Sequence, residues 1–445
     1  MKRIYIHNAK IVSDGKVVYG GIVIRDDTIE QVLSNLSMPN NSCDDVIDAQ
    51  GGYILPGVID EHVHFREPGL TTKGDIHSES IAAAAGGVTS IMDMPNTKPQ
   101  TITLEAFDDK MRRMAESCVV NYSCYFGASN DNTSLLRQLD PHRVCGIKVF
   151  MGASTGNMLV NKLLALYDIF SIKNILVAVH CEDQDIINAN IEKYRSEIVD
   201  GDLPLSYHNK IRTSVACFTS STVAFRLARR LGTQLHILHV STLQELRLFS
   251  DKKQGKRITG EVCVGYLNFS SSDYKKLGAL IKVNPAMKTP NVRDELFRAI
   301  KDGRIDTIAT DHAPHLLSEK QGGALKARSG MPSIQFSLLS MLQCVTKQLF
   351  DITMVVEKMC HAPARIYQIH DRGFIREGYK ADLVLVKEGL MRTITDSDVL
   401  SKCRWTPFNG FDTSWYICNT FVNGQMVYDG HSVNEAIRGE ELSFR

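Results

Sequence analysis

The chain has 445 residues, of which 43 % are apolar and 23 % charged, and its 51 basic side chains nearly cancel its 50 acidic ones. This is the profile of a folded globular protein rather than a disordered one. With no basic stripe and no interleaving of basic and aromatic residues, nucleic acid is not an expected partner. The eleven cysteines are scattered, odd in number and nowhere spaced C-x-x-C, so they read as reduced thiols rather than a disulfide framework. The opening MKRIYIHNAKIVSDG turns polar too soon for a signal-peptide core. No apolar run approaches the length of about 18 residues that a membrane helix needs. The cytoplasm is the expected compartment.

In chain order, KRIYIHNAKIV, KVVYGGIVIRDD and TIEQVL read as short strands, with turn residues Asp14, Gly15, Asp26 and Asp27 between them. Further on, strand-like runs alternate with helix-like stretches. The strands are DEHVHF, SIMDMPN, NYSCYFGA, GIKVFMGA, ILVAVHCED, QLHILHVST, ITGEVCVG and DTIATDH. The helices are IHSESIAAAAGG, LEAFDDKMRRMAES, LVNKLLALYDIF, STVAFRLARRLG, LQELRLFSDKK and RDELFRAIKDG. About eight strand–helix units fit this region, which predicts a closed (β/α)8 barrel of the TIM type. The end of the chain returns to short strands, ADLVLVKE and TFVNGQMVYDG, with Asn423-Gly424 as a two-residue hairpin signal. The expected organisation is therefore a barrel over residues 56–365 and a small β-sandwich-like domain built from residues 1–55 and 366–445.

The ends of the strand-like runs carry the chemistry. Run one ends in Asp60, His62 and His64, run four contains Lys148, and runs five and six end in His180 and His239. Run eight ends in Asp311 and His312, with His315 just beyond. The C-terminal strand ends of such a barrel converge on one face, and residues two apart on a strand point the same way. Lone histidines at strand ends are usually structural or exposed, and His208, His236 and His431 are read so. A lysine in GIKVF, taken alone, could simply snorkel to solvent. The ordered set is a different matter, and predicts a metal site. Imidazole and carboxylate ligands suit zinc-like ions. Five of them exceed one open catalytic zinc and suffice for two ions about 3.5–4 Å apart if an anion bridges them. A free ammonium has no lone pair, so Lys148 is either modified, for example carboxylated by carbon dioxide, or outside the coordination shell.

PGVIDEHVHF, the lysine of GIKVFMG, VHCED, LHVST and TDHAPH resemble the amidohydrolase superfamily over essentially the whole chain. Within it the sequence is similar to the dihydroorotase family, in the branch with a carboxylated lysine. The resemblance implies two Zn2+ ions. His62, His64 and Asp311 would hold one, His180 and His239 the other, and carboxylated Lys148 would bridge them. It further implies reversible hydrolysis of (S)-dihydroorotate to N-carbamoyl-L-aspartate, a step of pyrimidine synthesis, with a bridging hydroxide as nucleophile and Asp311 as the proton carrier. A homodimer or other homo-oligomer is also expected.

Arg66, two residues after His64, is placed to clamp a substrate carboxylate in bidentate fashion. Hydantoinases, dihydropyrimidinases and allantoinases, the enzymatic alternatives, differ in this stretch. A plainer reading pairs Arg66 with Glu67 on the surface. Asn96 and His315 match the remaining carboxylate contacts, and Asn284 a ring contact, although Asn96 and Asn284 also suit turns beside proline. After TDHAPH the chain reads SGMPSIQFSLL instead of the usual Gly-Leu-Glu-Thr-like loop, which leaves the pocket contacts around Gly330–Ser333 open. The segment Ala153–Asn157 suits either a mobile lid, with Thr155 reaching the substrate, or a rigid turn. A catalytically dead scaffold is disfavoured because the whole ligand set is present.

Overall fold

A computed structural model describes residues 2–35, 37–152, 158–252 and 255–445. The three opening strands, Arg3–Ser13, Lys16–Arg25 and Thr28–Ser34, form an antiparallel meander. Asp14 (φ 51°) and Gly15 (φ 71°) make the first turn, the left-handed pair that matches the twist of a two-residue hairpin. Asn423 (φ 49°) and Gly424 (φ 74°) do the same between Asp412–Val422 and Gln425–Tyr428.

The two chain ends meet in one eight-stranded sheet. The join is made by the strand Tyr53–Pro56, parallel to the first strand on one side and antiparallel to Leu383–Thr393 on the other. Alternate residues of these strands face one way, and Ile4, Ile6, Ile22, Ile24, Leu383 and Phe421 bury one another there.

The middle of the chain supplies eight parallel strand runs in order: Val58–Val63, Val88–Asp93, Asn121–Cys124 continuing into Phe126–Gly127, Ile147–Phe150, Val177–His180, Leu235–Ile237, Ile258–Cys263 and Thr307–Ala309. A parallel bridge from Val63 to His312, with the His64 amide donating to His312 O at 2.7 Å, closes the last strand onto the first. The result is a (β/α)8 barrel. Every strand is buried on both faces, so apolar residues are not confined to alternate positions, and the polar side chains the strands carry, such as Asp60, His62, Lys148 and Glu261, are buried as well.

Helices Ile76–Ala85, Leu104–Ser117, Leu163–Phe170, Gln184–Lys193, Ser214–Leu231, Pro290–Asp302 and Ile334–Thr346 lie among the strands. One predicted helix is absent. LQELRLFSDKK contains only the 3-10 turn Glu245–Leu248, with residues 253 and 254 outside the described residues. The buried Glu245 carboxylate accepts from Ser221 Oγ, Ser241 N and Thr242 Oγ1, which fixes one tight turn and sends the chain back into the next strand. At the far end, the last residues cross back beneath the barrel, where Leu442 N donates to Tyr122 O at 2.8 Å. No helix of the described residues is long and apolar enough to cross a membrane.

Candidate metal centre

The C-terminal strand ends open into a cavity of about 610 Å3 whose wall includes His62, His64, Lys148, His180, His239 and Asp311. Six residues spread over 250 positions of chain thus share one space because strand order places them there.

His62 Nε2 and His64 Nε2 stand 3.2 and 3.0 Å from the same oxygen, Asp311 Oδ1. The other ring nitrogens are spoken for. His62 Nδ1 lies 2.8 Å from Glu261 Oε1, and His64 Nδ1 lies 2.8 Å from Asn96 Oδ1. Both partners accept, so each Nδ1 carries a proton; each Nε2 faces Asp311, and once it gives up any proton of its own it presents a lone pair to an ion there. Burial opposes ionisation of Asp311, but His62 and His64 outweigh it and hold the carboxyl at about 2. Two imidazole lone pairs and a carboxylate oxygen converging within 4.8 Å fit a zinc-like ion.

Across the cavity, His180 Nε2 lies 3.2 Å from Glu182 Oε2, which takes its proton and is itself held by Arg212. His180 Nδ1 is left 2.9 Å from His239 Nε2, a nitrogen pair that one cation can draw together. This pair has only two protein ligands, so a second ion needs a further donor. Lys148 is the candidate on the same wall. Its side chain is buried, its ammonium lies 4.7 Å from the Phe150 ring centre, and it makes no hydrogen bond or ion pair among the described residues. Burial pulls it down to about 8.

The backbone is strained where these groups sit. Arg66 (φ 70°), His239 (φ 40°) and Asp311 (φ 49°) all adopt left-handed conformations, which side chains larger than glycine rarely take without support. Asp311 receives that support from both neighbours. Thr310 donates its amide and hydroxyl to Asp60, at 3.2 and 2.6 Å. His312 Nδ1 accepts the amides of Ser333 and Ile334, and its Nε2–H reaches Glu79 at 2.7 Å.

Arg66 does not pair with Glu67. It is 8 % exposed and lines the cavity, with Nε donating to Pro314 O at 3.0 Å and a terminal nitrogen 3.2 Å from His315 Nε2. Glu67 instead accepts from the Ile76 amide and faces Arg113. Among the described residues Arg66 has no carboxylate partner. Burial first, then the charges of Arg66 and Lys73, push His315 far below the usual imidazole range, so it is neutral. Asn96 and Asn284 also line the cavity, Asn284 Oδ1 accepting from Ser329 Oγ at 3.0 Å. The loop after TDHAPH reaches the same wall. Met331 pairs with His312 and brings Ser329 and Gly330 to the pocket, where a Cβ on Gly330 would meet Ala313 O at 2.7 Å. Thr155 and the whole Ser154–Asn157 segment lie outside the described residues.

Sequence reasoning missed Glu261, Glu182 and Glu79, which orient the histidines, and the second duty of Asn96 toward His64. The available signal was an acid inside or at the end of a largely apolar run, Glu261 in ITGEVCVG and Glu182 in ILVAVHCED. Of the three histidines set aside, His236 and His208 are buried and His431 is exposed. His208 also lines the cavity, with Nε2 bonded to Val283 O at 2.9 Å.

The model of the Amidohydrolase family matches residues 53–427. A dihydroorotase of Methanosarcina acetivorans is 31 % identical over 99 % of this chain and 96 % of its own. One from Halobacterium salinarum is 34 % identical over 87 % of this chain and 89 % of its own. Among solved structures, an L-hydantoinase (dihydropyrimidinase) from Arthrobacter aurescens superposes with a TM-score of 0.92 at 26 % identity, covering 97 % of both chains. The chain therefore belongs to the amidohydrolase family, as a metal-dependent, dihydroorotase-like enzyme.

Proposed function

We propose that the protein is a dihydroorotase, interconverting (S)-dihydroorotate and N-carbamoyl-L-aspartate, with His62, His64, His180, His239, Asp311 and a carboxylated Lys148 as the residues that would hold two zinc-like ions. The observation that carries the substrate choice is Arg66, a buried guanidinium on the cavity wall with no carboxylate of its own. A buried cation without a partner is costly, and a bound carboxylate supplies one through charge-assisted bonds. The full-length similarity to dihydroorotases points the same way, while the superposition on an L-hydantoinase speaks only for the shared scaffold and cyclic-amide class.

The ions, when bound, acidify the attacking water and polarise the ring carbonyl. Arg66, Asn96 and His315 hold the substrate carboxylate, and Asn284 meets the ring, so that the scissile carbonyl lies over His62, His64 and Asp311. Fixing that orientation removes entropy from the barrier. Asp311 accepts the proton of the attacking water and hands it to the departing amide nitrogen; in the closing direction it works in reverse. Glu261 and Asn96 keep His62 and His64 in the Nε2-ligating tautomer, and Glu182 does the corresponding service for His180.

The test is a side-by-side assay of N-carbamoyl-L-aspartate cyclisation, allantoin hydrolysis and dihydrouracil hydrolysis by the metal-loaded protein. Cyclisation should dominate; preference for either neutral ring would refute the assignment.

A further inference from the structure

Beneath the His62–His64–Asp311 cluster, a second group of metal-ligating side chains lies wholly inside the barrel. Glu61, His236 and Glu261 are each 0 % exposed, and one ligand atom from each falls within 4.8 Å of the others. Glu261 serves both levels. Its Oε1 takes the His62 Nδ1–H and the His239 amide, whereas Oε2 has no hydrogen-bond partner among the described residues. Both oxygens of Glu61 and Nε2 of His236 likewise make no hydrogen bond of ordinary geometry among the described residues, although the Thr307 hydroxyl lies close enough to Glu61 to favour its charged form.

The tautomer of His236 follows from its other side. The Thr259 hydroxyl gives its single hydrogen to Leu235 O at 3.2 Å, so it can only accept from His236 Nδ1, 2.7 Å away. Nε2 is left as an acceptor. It stands 4.0 Å from Glu61 Oε1 and 3.9 Å from Glu261 Oε2, too far for a direct hydrogen bond to either. Two carboxylates and an imidazole lone pair therefore converge without an ordinary hydrogen bond among them, fully buried and with the Thr307 hydroxyl beside Glu61, where buried polar atoms are normally satisfied.

We propose that a divalent cation of the manganese or zinc class binds between Glu61, His236 and Glu261, at a site separate from the one that serves the reaction. One imidazole with two carboxylates is a donor set for such ions. An ion centred among donors with these separations sits roughly 2.3–2.5 Å from each, so only a small contraction is needed. The ion neutralises two carboxylates that otherwise repel one another. It also anchors Glu261, whose opposite oxygen orients His62. Without an ion, burial and the neighbouring Glu261 carboxylate drive Glu61 to keep a proton, which is the competing state.

The deciding experiment is a crystal structure of the full chain grown with Mn2+, with anomalous data collected on either side of the manganese edge. A peak between Glu61, His236 and Glu261, resolved from any peak at His62, His64 and Asp311, is the expected result. Glu61→Gln should remove that peak alone and lower the manganese retained after gel filtration by about one ion per chain. A peak at the upper cluster with only solvent, or a short Glu61–Glu261 carboxyl contact, below it overturns the proposal. So does unchanged manganese content in a Glu61→Gln protein whose circular dichroism is native. If that variant does not fold, the wild-type map decides by itself. Absence of both peaks would refute this site and the catalytic metal assignment together.

Discussion

Replacing Arg66 by methionine keeps an unbranched apolar stem and removes the charge and the fork of donors. In the free protein the loss is small. Two hydrogen bonds, from Nε to Pro314 O and from a terminal nitrogen to His315 Nε2, disappear at a net cost of about 1 kcal/mol each, and a buried cation without a carboxylate partner disappears with them. The thermal midpoint should therefore move by only a few degrees, and metal content should not change. With substrate the balance reverses, because the bound carboxylate is left desolvated and unpaired. Truncating one side of such a pair costs roughly 2–5 kcal/mol, which at about 1.4 kcal/mol per decade is an increase of about 30-fold to several-thousand-fold in KM for dihydroorotate. The assay is steady-state hydrolysis of dihydroorotate and of dihydrouracil, which lacks the carboxylate, by wild type and variant loaded with equal metal. The effect should fall on dihydroorotate alone. An equal loss on dihydrouracil, or a KM for dihydroorotate within a factor of three or so of wild type, would refute the carboxylate clamp.

Lys148→Ala should lose most bound metal and activity, and millimolar short-chain carboxylic acids should restore part of both; full activity without additive would exclude a lysine bridge. Asp311→Asn keeps an oxygen for the metal but cannot take a proton, so kcat should fall by about 10²–10⁴ with most metal retained. Near-normal turnover in the metal-replete variant would move the proton transfer to another group. Lys110 and Asp93 form a fully buried ion pair, with Asp93 also accepting the Phe65 amide just before Arg66. Lys110→Met strands that carboxylate, so chemical denaturation should report a loss of about 3–5 kcal/mol, and a loss below about 1 kcal/mol would show the pair to be dispensable.

The amino-acid sequence by itself determined the barrel, because a parallel strand buried on both faces is largely apolar along its length and each crossover back to a parallel neighbour takes a helix-sized stretch. It also marked the histidine pair His62-x-His64 and the strand-end set Lys148, His180, His239 and Asp311, which barrel order then brings to one cavity wall. The hairpin at Asn423-Gly424 was legible for a local reason too, the left-handed backbone that those residues tolerate. What the tertiary structure alone decided is which group answers which. Arg66 turns inward to His315 and Pro314 O rather than outward to Glu67 because its left-handed backbone aims it there. The apolar spacing of LQELRLF suits a helix, yet three donors on the buried Glu245 carboxylate hold it to a single turn. Lys110, one of several charges in the helix-like stretch LEAFDDKMRRMAES, is the buried partner of Asp93, which nothing in that stretch announces. Glu261, a solitary acid in an apolar strand, gains its meaning only when barrel closure sets His62 and the His239 amide against one oxygen and Glu61 and His236 near the other. Periodicity fixes the face on which a side chain lies, but strand order and closure of the sheet fix its neighbours, and those neighbours are hundreds of residues away in the chain.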